Sequence, residues 1–295
     1  MNDVFETNKD KLVKMAVVAE VVPPGADRDY TIDFDGKPTL PLGMSGIKYN
    51  VTVGDLCYGL EYSEHVEPCL SVSYKGDDPY GRANTALGVL GCIGNEVIVT
   101  SGDAKGANGY VIGKHGNFMI WLSPEDQQKI NIGDKVQIRA WGVGLEMTNF
   151  KDVKVNKISP DLLENLGITV EDGKLVVPVV VEFPAYIMGS GIGMWPVTID
   201  YDIQTTCPEV WDELGLKELR FGDIVALRDQ LSWWGRGYYE GAVTIGIVVH
   251  GWSRHSGHGP GVTTILSTKD GKIIPRLDEY ANIAYYLGIK EKPQN

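Results

Sequence analysis

Apolar residues in this chain gather in short runs bounded by glycine and polar turns, and few recur at the spacing of an amphipathic helix. The clearest run, residues 242–249 (AVTIGIVV), has the length and β-branched content of a buried strand, and it delivers His250 at its end. Strands are also predicted over 14–22, 47–53, 89–100, 110–112, 117–121, 135–140, 175–182 and 224–228, with the long run extended to 242–250. Helix signals are brief. Ser123 and Ser159 each precede a proline and a first-turn acid, the grammar of an N-cap with proline at N1, and Gly167 stops the second helix. The pattern predicts a mainly β fold.

Three segments repeat one local pattern: VGDLC at 53–57, IGDKV at 132–136 and FGDIV at 221–225. An apolar residue, Gly-Asp, then alternating residues fits a tight turn that opens a strand, as small barrels use repeatedly. These aspartates are read as structural. The longer likeness of INIGDKVQIRAWG to LRFGDIVALRDQ points to two related barrel-like or sandwich units with few short helices. A boundary is predicted near residue 158, after the polar run NFKDVKVNKIS starts, giving an N-terminal β domain (1–158) and a C-terminal β domain (159–295) with the Gly/His-rich loop.

Charge narrows the partners. With 27 basic and 39 acidic residues in 295, the net charge of −12 disfavours nucleic acid or an anionic membrane surface. The apolar stretch 15–22 is too short for a membrane span and contains Glu20, so a cytoplasmic location is expected. Cys57, Cys69, Cys92 and Cys207 lack the close spacing of a zinc or redox motif and are expected to be reduced and mostly buried.

Candidate chemistry concentrates between residues 233 and 266, which hold three of the five histidines. After His250 comes GWSRHSGHGPGV, with Arg254, His255, Gly257, His258 and Gly259. Three readings of this loop stand side by side. It holds a metal through His255 and His258, or it binds an anion through Arg254 and the amides of a Gly-rich nest, or its histidines are hydrogen-bonding loop anchors. Upstream, Asp229 could orient a histidine or bind a metal, and Arg236 could contact a ligand or pair with Glu240. The aromatic segment around Trp233, Trp234, Tyr238 and Tyr239 suits a subunit interface. In the N-terminal half, Asp103 and His115 lie in glycine-rich settings and could share a metal or act as an acid/base pair. His65 and Glu67 place an imidazole and a carboxylate two apart, on one side only if the backbone is extended.

The combination YNVTVGD, HVEPCLSV, SGDAKGANGYVIGKHG, INIGDKVQIRA and GRGYYEGAVTIGIVVHGWSRHSGHGPGV resembles the DUF4438 family of uncharacterised bacterial proteins over about residues 40–268. That resemblance implies an N-terminal and a C-terminal domain in a mainly β structure. The segment 101–110 is more distantly similar to the GDAHAAQGDGE-type segment of acetamidase/formamidase proteins, with Lys105 in place of a histidine and Asn108 in place of an acid. The resulting expectation is a hydrolase of a small amide or related C–N bond, possibly assisted by a divalent metal. Asp103, His115, His250, His255 and His258 would be its catalytic groups, and Asp229, Arg236, Arg254, Gly257 and Gly259 would bind ligand. The alternatives are a non-catalytic binder of a small anionic metabolite and a structural homo-oligomer.

Overall fold

A computed structural model describes residues 4–25, 31–40, 43–60, 65–74, 76, 81–205 and 207–293. In chain order the first half supplies β1 (Met15–Val21), β2 (Thr31–Ile32), β3 (Pro38–Thr39), β4 (Leu70–Ser73), α1 (Arg82–Leu90), β5 (Glu96–Val99), β6 (Asn108–Lys114), β7 (Phe118–Leu122), α2 (Pro124–Gln127), β8 (Lys135–Ala140) and β9 (Val153–Val155). The second half supplies α3 (Pro160–Asn165), β10 (Thr169–Glu171), β11 (Lys174–Val179), β12 (Val181–Phe183), β13 (Tyr201–Asp202), α4 (Pro208–Glu213), β14 (Ile224–Ser232), β15 (Arg236–His250), β16 (Gly261–Thr268), β17 (Ile273–Leu277) and α5 (Ile283–Tyr286). The fold is mainly β, and its helices are short.

Six strands close into a barrel in the order β1-β4-β7-β6-β5-β8. A six-stranded sheet of order β12-β14-β15-β16-β13, with β9 also on β16, forms the second layer, and β10-β11-β17 form a smaller sheet. Strand β8 alternates exposed and buried positions, as expected where one face meets the barrel interior. Strand β16 is buried at every position. The barrel interior has its own core, including Leu70, Val97, Ile120 and Ile138. The largest core is shared, however: Ile93, Met119 and Ile158 from the first half pack in one cluster with Val177, Ile245 and Ile265 from the second. Burying that common apolar surface joins the halves into one structural body.

The three Gly-Asp turns share one geometry. Gly54, Gly133 and Gly222 have φ of 86°, 89° and 87°, where glycine has no Cβ to oppose the left-handed conformation. In each, the aspartate Oδ2 accepts the backbone N–H three residues earlier: Thr52 to Asp55 (2.9 Å), Asn131 to Asp134 (2.8 Å) and Arg220 to Asp223 (2.8 Å). The second and third turns feed β8 and β14. The first leads only to a single bridge, Leu56 to Arg220, which corrects the expectation that all three open strands.

Three predicted strands also change, the first being 175–182, which divides into β11 and β12 in two different sheets. Residues 47–53 make local bonds to the Cys69 backbone rather than a ladder. Residues 89–90 end helix α1, so the strand expected over 89–100 is confined to β5. Among the cysteines, Cys57, Cys69 and Cys92 are buried free thiols, but Cys207, just before α4, is exposed. Among the described residues no helix is long and apolar enough to cross a membrane.

Candidate metal centre

The site forms around a residue with no side chain. Strand β15 ends on His250, which the antiparallel register places beside Gly261, the first residue of β16. Across Gly261 on its other edge lies Asp202 of β13. Asp200 stands two residues before Asp202, so both carboxylates project to one face of an extended segment. A Cβ on Gly261 would lie 2.0 Å from His250 Nε2 and 2.2 Å from Asp200 Oδ2. Glycine is needed here for space, and the His250–Asp200 pair fills the room it leaves.

The buried His250 ring has its Nδ1 2.9 Å from the Gly251 carbonyl, so Nδ1–H donates to that oxygen. Its Nε2 is then the nitrogen facing Asp200 Oδ2 at 2.7 Å and Asp202 Oδ1 at 3.2 Å. Three electron-pair donors converge on one point, an arrangement that requires a positive charge between them, either a second ring proton or a metal ion. Burial disfavours a charged His250, yet the two carboxylates outweigh burial and hold its pKa well above the ordinary imidazole value. Asp200 is likewise buried, and His115 and His250 overcome that burial to hold its carboxyl well below the usual range. The segment bearing Asp200 is gripped from behind by Arg236, whose buried guanidinium donates to the carbonyls of Asp200 (2.6 Å), Pro196 (3.3 Å) and Ile199.

A second wall comes from the first half of the chain. His115 follows β6, and its Nδ1 lies 3.0 Å from Glu67 Oε1. The other oxygen of Glu67 accepts from the Ser71 hydroxyl (2.6 Å) and the Ser45 amide (2.8 Å). Burial opposes the Glu67 charge, but His115 above all, with Lys48 and Ser71, holds its pKa down at about 2. A carboxylate fixing one ring nitrogen leaves the other to serve as ligand, the usual support of a metal-binding histidine. Thr263 of β16 ties this wall to the sheet by donating to the Lys114 carbonyl at 3.0 Å.

His65 and His258 complete the cluster. His65 Nε2 is 3.0 Å from His258 Nδ1, which is also 2.7 Å from Asp202 Oδ2. The single hydrogen that Nδ1 can carry serves only one of those neighbours. Burial, then the neighbouring imidazoles His250, His115 and His258, push the His65 pKa well below its ordinary value. The backbone is held in the left-handed region at Ser45 (φ 61°), His65 (φ 50°) and Cys69 (φ 60°), conformations that non-glycine residues adopt at a cost and that gather at functional sites. The rings of His65 and His115 stack at 5.6 Å, His115 and His250 lie 4.4 Å apart by centroid, and His255 lies 4.8 Å from His258. Every histidine in the chain is in this cluster. Two groups within it have metal-ligating atoms all within 4.8 Å: His65, Asp202 and His258, and His115, Asp200 and His250.

The N-terminal domain of DUF4438, described as a domain of unknown function, matches residues 30–164, and its C-terminal domain matches residues 165–287. The chain belongs to the DUF4438 family. A solved structure described as "Crystal structure of TM1086" is 44% identical, covering 95% of this chain and 98% of that one, with a TM-score of 0.89. Among curated proteins, none matches. The two halves recognised in this DUF4438 chain each supply residues to the cluster, which sits at their junction.

Among the residues singled out in sequence, His115, His250 and His258 meet in the two groups, and His255 borders them, 3.5 Å from Thr31 Oγ1. The others are placed elsewhere. Asp103 is in an exposed turn outside both groups. Asp229, with φ 55°, sits at a β-bulge in the β14–β15 hairpin and accepts the Gly241 amide at 2.7 Å, a turn-stabilising role. Arg236 is buried behind Asp200 rather than facing a ligand. Arg254 pairs with Asp33 at 2.7 Å and Asp35 at 3.2 Å and lies over Phe34, which anchors the loop to the β2–β3 hairpin. Gly257, with φ 78°, makes a turn whose carbonyl accepts the Ser190 amide at 2.8 Å, and Gly259 permits close packing, since a Cβ there would meet the Ile203 carbonyl. Sequence reasoning left out Asp200 and Asp202 and did not build on His65 and Glu67. The signal for the aspartates was the D-x-D spacing in TIDYDIQ, an acid pair on one face of an extended segment.

Proposed function

We propose that this chain is a divalent-metal-dependent hydrolase of a small amide or related C–N bond, with His65, His115, Asp200, Asp202, His250 and His258 as the ligand set. The reading rests on one observation: Nε2 of the fully buried His250 is directed at two carboxylate oxygens while its Nδ1 is committed to a backbone carbonyl. Mixed imidazole and carboxylate donors suit zinc and neighbouring first-row ions. A cation there would bring the pKa of a bound water to ~7 and polarise a carbonyl oxygen. Water oxygen then adds to the amide carbon, the C–N bond breaks, and the amine departs with a proton from that water, leaving a carboxylate. Because Arg254 is occupied by Asp33 and Asp35, an anion-binding loop has less support than hydrolysis.

The test is metal analysis after dialysis against Zn²⁺, followed by amine release from a panel of short aliphatic amides, before and after chelation. Retained metal and chelator-sensitive release are expected. A protein that takes up no Zn²⁺ would overturn the reading. A cytoplasmic homo-oligomer belongs to the same proposal, with exposed Trp234 and Tyr238 at the tip of the β14–β15 hairpin as contact residues, checked by light scattering.

A further inference from the structure

The six ligands divide unevenly between what one ion needs and what two ions need, and the division runs through Asp202. Its Oδ2 lies 2.7 Å from His258 Nδ1, in the group with His65. Its Oδ1 lies 3.2 Å from His250 Nε2, in the group with Asp200 and His115. The two oxygens of one buried carboxylate therefore address two different triads. A single tetrahedral ion with bonds of ~2.1 Å accommodates four donors and leaves two of these six groups without a cation.

We infer that the cluster is a two-cation centre: one ion held by His65, His258 and Asp202, a second held by His115, His250 and Asp200, with Asp202 as the bridging carboxylate. This rests on the proposal that the site binds divalent metal at all. The first triad supplies three protein ligands, the number that leaves a position open for water, and the bridging Asp202 adds a fourth ligand to the second. A carboxylate joining two such sites fits ions ~3.5–4 Å apart, the spacing at which paired ions clamp both the attacking and the leaving group of a displacement. Glu67 and the Gly251 carbonyl then act as positioning groups, each fixing the non-ligating nitrogen of a histidine in the second triad. No such fixed partner is needed for Asp202, whose two oxygens are both committed to the ions.

The experiment is titration of the metal-free chain with Mn²⁺, reading bound equivalents and the electron paramagnetic resonance spectrum. Two equivalents with an exchange-coupled spectrum are expected. One equivalent with the uncoupled six-line spectrum overturns the two-cation centre but leaves a metal-dependent enzyme standing. Zero equivalents of both Mn²⁺ and Zn²⁺ overturn both. In His258→Gln, stoichiometry should fall from two to one and the coupling should vanish, while circular dichroism stays that of the parent. If that variant does not fold, Asp202→Asn provides the same reading, because loss of the bridge removes coupling. Retention of a coupled two-ion spectrum in a folded Asp202→Asn protein would refute the bridge.

Discussion

Replacing Gly261 by alanine isolates the geometric claim on which the site depends. The new methyl carbon would start 2.0 Å from His250 Nε2 and 2.2 Å from both His250 Cδ2 and Asp200 Oδ2. Reaching an ordinary contact of ~3.4 Å requires a displacement of about 1.4 Å. Neither side chain has open space to move into, since His250 is 0% and Asp200 4% exposed. Overpacking a filled interior costs about 1–3 kcal/mol, and uncoupling a buried ion pair about 3–5 kcal/mol where one charge is left without its partner. These costs overlap rather than add, so about 2–5 kcal/mol is expected. At roughly 2–4 °C per kcal/mol for a chain of this size, the melting temperature should fall by roughly 4–20 °C. Metal binding should fail as well, because ligand constellations tolerate errors of only about 0.5 Å. Gly237→Ala is the control, since a Cβ there meets no atom within 4 Å. Thermal unfolding and Zn²⁺ uptake are the assays. A Gly261→Ala protein that melts with the parent and binds Zn²⁺ equally well would refute the packing argument.

Three further outcomes are expected. Glu67→Gln loses the charge and keeps one acceptor oxygen, so it can serve either the His115 ring or the Ser71 hydroxyl but not both, and Zn²⁺ affinity by competition with a chelating dye should fall about 10–100-fold; an unchanged affinity would remove Glu67 as a positioning group. Thiol titration of the native protein should show one fast cysteine, Cys207, and four after unfolding without reductant, since burial encloses Cys57 and Cys92 and pushes the Cys69 thiol up to about 11; a second fast thiol would contradict this. Lys157 donates to the carbonyls at the end of α1, and burial lowers its pKa from 10.5 to about 8. Between those values the unfolded chain binds more protons, so stability from this group rises with pH by at most about 1.4 kcal/mol per unit, and urea melts from pH 8 to 10 should show a shallower slope in Lys157→Met than in the parent, the buried Lys48 and Lys114 contributing to both; equal slopes would sink the assignment.

The strands legible in sequence are those whose apolar residues carry the burial. Residues 135–140 alternate and form β8, and 242–250, mostly apolar and buried throughout, form the inner part of β15. Strand β16 is as deeply buried but reads GVTTILST, so polarity hides it. Several of its hydroxyls are satisfied internally: Thr263 bonds the Lys114 carbonyl, and Ser267 accepts the Ser232 amide at 2.9 Å and lies 2.9 Å from Thr244 Oγ1, whereas the Thr264 hydroxyl is buried without a partner. A buried polar group with a partner is tolerated, and a hydrophobic pattern cannot anticipate the partner. The failure at 47–53 has the opposite cause. That segment is β-like in composition, but it is spent on positioning the backbone around Cys69, where left-handed residues prevent a ladder.

The site was partly legible because local sequence marks where a polar side chain leaves a strand, not which side chains meet. His250 could be found from the apolar run that ends on it. His115 could be noticed among glycines, but its relation to His250 depends on β6 packing against the inner end of β15, a contact that separation of 135 residues conceals and Gly113 permits by placing its backbone against Val249. The sheet order β15-β16-β13 then brings Asp202 to one edge of Gly261 and His250 to the other, although neither is near the other in sequence. Asp229 shows the limit from the other side: one residue past a predicted strand it had the chemistry of a ligand, yet the bulge at Arg228 and Gln230 turns it onto the Gly241 amide. The histidines of this chain are informative as a set because all five, from positions 65 to 258, converge while the acids at 103 and 229 do not. Convergence of scattered imidazoles opposes their mutual repulsion when charged, so a fold that gathers them around two carboxylates is arranged to hold positive charge at their centre.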